Sequence, residues 1–194
     1  MPKVRITQSL ISSWHWSFKK DDGYEEFLKA LKREKTPPTQ SMLDGIKFEH
    51  VLNSVLKGEH IPEDHEWYKV ITEMAEELDG SQQQVTIFRD VTVDGQPFLL
   101  HGVLDYLRAG VIYDCKFSKR YELCKYLNSP QTPMYLELVP EARLFEYIIS
   151  DGKWVYREKY PRYIVPSIVP EIRMFMKYLK DHNLWSIYEQ NWRV

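Results

Sequence analysis

Cysteine is scarce in this chain: 194 residues include 2, Cys115 and Cys124. That excludes a disulfide framework, a four-cysteine zinc site and a cysteine-ligated iron–sulfur cluster. Long apolar runs are missing too, with no stretch of about 18 residues suited to spanning a membrane. The first residues, Met-Pro-Lys-Val-Arg-Ile-Thr-Gln, lack the apolar segment of a signal peptide, so the expectation is a soluble, cytoplasmic protein with no membrane contact. Nor is there an excess of one charge. The 26 Lys and Arg against 28 Asp and Glu give a formal net charge of −2, with no bulk electrostatic pull toward nucleic acid. A local basic strip does exist, made of Lys116, Lys119, Arg120 and Lys125. Repeats and low-complexity tracts are absent. What the chain holds in plenty is aromatic residues, 6 Trp, 13 Tyr and 8 Phe, within an apolar share of 43% that suffices for a core. A chain of this length reads as one domain.

Helical spacing appears over residues 7–18, through Leu10, Ile11, Trp14 and Phe18 with Thr7 or Ser9 as N-cap, and again over 24–32. Thr36-Pro37-Pro38 is a connector. Residues 41–57 form a helix in this reading, with Phe48, Val51, Leu52, Val55 and Leu56 as its apolar arc and Gly58 ending it. His50 lies off that arc, beside Lys47, Asn53 and Ser54. A further helix spans 62–78 and closes at Asp79-Gly80. The period then changes to that of strands over 84–91, 97–107 and 111–117, with Asp94-Gly95 a tight turn. A short helix is expected over 121–127. Ser129-Pro130 opens a helix reaching Leu138, in which Gln131 and Tyr135 lie one turn apart; Pro133 allows a start at Thr132 instead. Strands over 143–150 and 153–160 turn at Asp151-Gly152. A closing helix over 166–188 buries Ile168, Ile172, Phe175, Met176 and Leu179. This order argues for an α/β fold with a mixed central sheet flanked by helices. Residues 1–80 are its mainly helical part, 81–160 the sheet core with the motif helix, and 161–194 the C-terminal helix of one domain spanning 1–194.

The chemistry concentrates around Arg108-Ala109-Gly110, which joins two short apolar runs as a hairpin. Each run carries one aspartate, Asp105 and Asp114, and Lys116 follows two residues after the second. With a two-residue loop at Ala109-Gly110 the aspartates oppose each other across the strands, their Cβ atoms roughly 5 Å apart. A three-residue loop slips the register and sends one to the other face. Two carboxylates that close repel unless a cation lies between them, and a divalent metal suits. Asp114 and Lys116 share one strand face, Tyr113, Cys115 and Phe117 the other. Leu99, His101, Val103 and Asp105 share a face of the preceding strand, which places His101 near the site as a supporting residue. An ordinary surface Asp–Lys pair is the competing reading of this hairpin.

Four motifs in order resemble the RecB-like branch of the PD-(D/E)XK nuclease superfamily, which includes phage and CRISPR-associated exonucleases. They are Gly45-x4-His50 on a helix ahead of the sheet, Gly102-Val103-Leu104-Asp105, Asp114-Cys115-Lys116, and Gln131-Thr132-Pro133-Met134-Tyr135. The resemblance implies a PD-(D/E)XK restriction-endonuclease-like core with a helical N-terminal region. It implies that Asp105 and Asp114, with His50 and the Cys115 carbonyl, bind Mg2+ or Mn2+, and that Lys116 positions or activates the attacking water. Gln131 and Tyr135 would shape the site and contact the nucleic-acid backbone, with Lys119 and Arg120 nearby. Many CRISPR-associated relatives carry four cysteines for an iron–sulfur cluster; this chain lacks them, so no cluster is expected. The implied activity is metal-dependent hydrolysis of DNA phosphodiesters, by an exonuclease of recombination or repair. Its partners would be DNA, single- or double-stranded, and either a second copy of the chain or a recombination protein. The alternative is a silent nuclease-fold module that binds nucleic acid or protein without cutting.

Overall fold

The computed structural model describes residues 2–194. In chain order the elements are β1 Val4–Thr7, α1 Gln8–Trp16, α2 Gly23–Leu31, α3 Gln40–Leu56, α4 Tyr68–Leu78, β2 Gln82–Val93, β3 Gln96–Arg108 and β4 Val111–Phe117. They continue with α5 Gln131–Leu138, β5 Leu144–Ser150, β6 Val155–Pro161, a single 3-10 turn, α6 Val169–Asp181 and α7 Trp185–Trp192. The strands form one mixed sheet in the order β1-β3-β4-β5-β6, with β2 paired to β3. Helices flank it on both faces, as the alternation of elements implies.

β3 is the spine. β2 runs antiparallel beside it from Gln82↔Leu107 to Val93↔Gln96. Along the other edge β1 pairs in parallel with its first half, Val4↔Phe98 to Thr7↔His101, and β4 pairs antiparallel with its end, Tyr106↔Tyr113 to Arg108↔Val111. One face of the sheet packs a core of Val4, Ile6, Phe98, Leu100, Ile112, Phe145 and Tyr147 against α1, α2, α5, α6 and α7. The other packs Tyr106, Tyr113 and Ile148 against Phe48, Leu52, Val70 and Ile71 of α3 and α4. Gly102 is what lets α5 approach so closely: a Cβ there would stand 2.7 Å from Leu138 Cδ1 and 3.0 Å from the Tyr135 ring.

Several expectations need correction. Residues 121–127 form turns rather than a helix, because Cys124 has left-handed φ 62. The helix expected over 62–78 begins only at Tyr68; the segment before it turns, with the Trp67 amide donating to His65 Nδ1 at 3.1 Å. The closing helix is two helices, broken at Asn183 with φ 58. β1 was not foreseen inside the part read as helical, since four residues carry too little periodicity. α5 starts at Gln131, so Pro133 falls in its first turn, where a proline costs no intrahelical bond. Among the described residues no helix is long and apolar enough to cross a membrane.

Candidate active site

Ala109 and Gly110 both have positive φ, 49 and 77, the signature of a two-residue hairpin turn. That selects the register in which Asp105 falls opposite Asp114. The β3–β4 ladder stops one pair short, at Tyr106↔Tyr113, and the strands part from there. β4 continues against β5 as far as Phe117↔Ser150, while β3 departs with β1 and β2. Within the gap the Cys115 amide donates to Asp105 Oδ2 at 3.1 Å, in place of a strand carbonyl. β3 also twists here. Leu104 packs in the core beneath α5, yet Tyr106 lies in the α3–α4 core and donates its hydroxyl to Asn53 Oδ1 at 2.6 Å. Residues two apart in a regular strand would share a face. Gln84, the residue across from Asp105 on β2, has φ 51 and marks the same distortion.

Asp114 is 1% exposed. Its Oδ2 accepts a hydrogen bond from Gln131 Nε2 at the start of α5. Its Oδ1 has the Lys116 ammonium 2.5 Å away but no aligned hydrogen-bond donor. Burial raises the Asp114 carboxyl above its usual range, with Lys116 and Gln131 pulling it back. Burial pushes Asp105 up further, and the charges of Asp114 and Glu49 add to it. Burial works against the Lys116 charge, but Asp114 and Asp105 outweigh it and hold the ammonium well above its ordinary value. Lys116 is therefore a fixed cation at neutral pH.

The residue that sequence reasoning missed is Glu49. It is half-buried on α3, accepts from Gln84 Nε2 at 3.2 Å, and its charge is felt at Asp105, Tyr106 and Cys115. His50, next to it, is exposed. At about 100° per residue, Glu49 lies beside Leu56 at the margin of the apolar arc and His50 lies opposite it. The wheel thus held the signal.

Gln131 is brought to the site; Tyr135 sits one turn on, with its hydroxyl donating to the Val103 carbonyl at 3.0 Å and its ring against Gly102. Both are buried and engaged with protein groups, so they shape the site rather than meet a nucleic-acid backbone. Lys119 pairs with Asp44 of α3 at 2.6 Å, and Arg120 is exposed; neither pairs with Asp105 or Asp114. Lys119 lines an open cleft of about 550 Å³ with Lys47, Trp67, Phe117 and Lys153, on the α3 side of β4.

Among the described residues no three His, Cys, Asp or Glu side chains already converge as a metal cage. Asp114 is engaged with Lys116 and Gln131, and Glu49 with Gln84. The donor chemistry nevertheless fits a hard dication. Once deprotonated, three carboxylates against one ammonium leave two negative charges, and oxygen donors suit magnesium and manganese.

One consequence can be measured without metal. A carboxyl raised on folding keeps a proton that the unfolded chain releases, so the unfolded state binds fewer protons above the ordinary value of 3.8 and stability falls as pH rises through the folded value. In EDTA, Asp105→Asn should therefore melt higher than wild type near neutral pH, with the difference closing toward about pH 4. Equal melting of the two proteins across this range would show that Asp105 carries no such burden.

No family model and no curated protein matches the chain. Among solved structures it is similar to the crystal structure of SSO0001, with a TM-score of 0.58 over 93% of this chain and 78% of that one at 13% identity. That likeness shows the fold, an α/β mixed sheet between helices.

Proposed function

We propose that this chain is a divalent-metal-dependent nuclease of PD-(D/E)XK type that hydrolyses DNA phosphodiester bonds, an exonuclease of recombination or repair similar to the RecB-like branch. The observation that carries the reading is the pair Asp105 and Asp114, neighbours where β3 and β4 part, with the Lys116 ammonium 2.5 Å from Asp114. A surface Asp–Lys pair would be solvated, whereas Asp114 is buried. Burying two like charges together destabilises the fold unless a counter-ion or a task compensates.

Asp105, Asp114 and Glu49 would hold the metal, with the Cys115 carbonyl at hand. When bound, the metal supplies a nucleophilic water at neutral pH and neutralises charge on the phosphorus. Lys116, a cation throughout, positions the water and stabilises the developing negative charge rather than taking a proton. Gln131 fixes the Asp114 carboxylate. Tyr135 locks α5 against β3, which keeps Gln131 in reach.

End-labelled single- and double-stranded DNA should be cut in manganese or magnesium and spared in EDTA. Glu49→Ala should lower cleavage about tenfold or more through weakened metal affinity, whereas His50→Ala should stay close to wild type. The opposite ranking would return the ligand role to His50. Absence of cleavage of either DNA in either metal would leave the non-cutting module as the reading of this fold.

A further inference from the structure

The β1–β2–β3 wing of the sheet has one covered face and one open face. Val4, Ile6, Phe98 and Leu100 fill the covered side and are wholly buried. Their strand neighbours point the other way: Arg5 beside Leu99, Thr7 beside His101, and Phe88 and Thr86 across from His101 and Val103. On that side Phe88 is 52% and Val103 36% exposed, values at which a large apolar side chain meets solvent rather than a helix.

The open face is organised. The Phe88 and His101 rings stack with centroids 4.6 Å apart and planes 9° from parallel. The Arg5 guanidinium lies 5.9 Å from the Phe88 centroid. Arg5 has no carboxylate partner among the described residues, and its Nε is a buried donor with nothing to donate to. A guanidinium without an ion-pair partner beside an aromatic ring is a group that an anionic ligand can pair with. The strip leads to the site: Asp105 is four residues along β3 from His101, about 13 Å at strand rise. Gln84 and Glu49 close its far end.

We propose that this face is the track of a single-stranded nucleic acid. A base stacks on the Phe88–His101 pair, a phosphate meets Arg5, and the strand passes over Val103 to the carboxylates at Asp105. Only a single strand offers free base faces to an aromatic platform, and guanidinium beside aromatic rings suits backbone phosphate together with stacked bases. This track rests on the nuclease reading for its direction, toward Asp105, but its binding is separable from cutting. It differs from the cleft lined by Lys47, Lys119 and Lys153, to which β1, β2 and β3 contribute no residue.

Anisotropy of a labelled oligothymidine in EDTA, where chemistry is silent, reads the track alone. Phe88→Ala should weaken binding about tenfold and Phe88→Trp should restore it, because stacking tolerates any aromatic face. Arg5→Gln should weaken binding and reduce the salt slope by about one ion. A duplex of equal length should bind less well and respond little to Phe88→Ala. Wild-type affinity in both Phe88→Ala and Arg5→Gln, or no binding by the wild type, overturns the track and gives the face to a protein partner. Cleavage by the wild type is scored separately. Binding that depends on Phe88 and Arg5 without any cleavage would retain the track and reject the nuclease, whereas cleavage with indifferent variants would do the reverse.

Discussion

Asp114→Asn should reduce metal-dependent DNA cleavage by about a thousandfold or more while leaving the protein folded. The loss follows from charge. Asp105 and Asp114 would hold the dication, and the substitution removes one of its anionic ligands; metal stabilisation of a transition state is worth several kcal/mol, about 1.4 for each factor of ten. The fold should tolerate the change because asparagine has the same shape and retains an oxygen for the Gln131 amide. Burial penalises the Asp114 charge while Lys116 stabilises it. The partly exposed Lys116 keeps Asp105 as a neighbouring charge, so the two effects largely offset in the metal-free protein. Single-turnover cleavage of end-labelled DNA at saturating manganese, paired with thermal unfolding in EDTA, checks both halves. Cleavage within tenfold of wild type would remove Asp114 from the chemistry. A large drop in melting temperature would instead make it a structural residue.

Lys116→Ala should damage both rate and stability, and a divalent ion should separate the two losses. Among the described residues the ammonium is the one cation paired with the Asp114 carboxylate. Its removal leaves buried carboxylates uncompensated, a class of change that costs about 3–5 kcal/mol, with the lower end expected because the lysine is partly open to solvent. At the length of this chain each kcal/mol moves the melting temperature by about 2–4 °C. Loss of a positioned cation that stabilises transition-state charge should lower turnover about 100- to 1000-fold. Manganese binds only the folded site, so adding it should recover much of the melting temperature of Lys116→Ala by mass action. It should not recover turnover, since the ion cannot also be the ammonium. Melting unchanged by the substitution in EDTA would mean the ion pair contributes nothing, and restored turnover in manganese would deny Lys116 its catalytic part.

The legible and illegible parts of this site divide along physical lines. The Ala109-Gly110 turn offered a two-residue register that sets Asp105 opposite Asp114, with a three-residue slip as the alternative, and the positive φ at both residues selects the first. Gln131 was legible for a similar reason, since a helix opening at Pro130 leads with it. Glu49 was harder, because the direction of a helical side chain depends on where the helix docks. α3 docks through Phe48 and Leu52 onto β4, and that contact turns Glu49 inward and His50 out. Tyr135 looked like a ligand contact and proved to be a wedge, because nothing in a helical spacing reveals that Gly102 lies beneath it. The breaks at Cys124 and Asn183 depend on single left-handed residues of types that do not demand that conformation.

The first strand has a consequence for how the molecule assembles. β1 lies parallel to β3, Val4 beside Phe98, so it has no partner until the meander is made. Its backbone also waits for residues 188 and 194: the Tyr188 hydroxyl donates to the Arg5 carbonyl at 2.7 Å, and the Val194 amide to the Lys3 carbonyl at 3.0 Å. Contacts so distant in sequence carry a loop-closure cost that local hairpins do not, and they form late. The β2–β3–β4 meander, built from short turns, can therefore fold on a nascent chain with Asp105 and Asp114 already opposed. The Arg5 edge is completed only once the segment through Val194 has docked. In that order the carboxylate pair is set before β1 joins the sheet and its edge closes against α7.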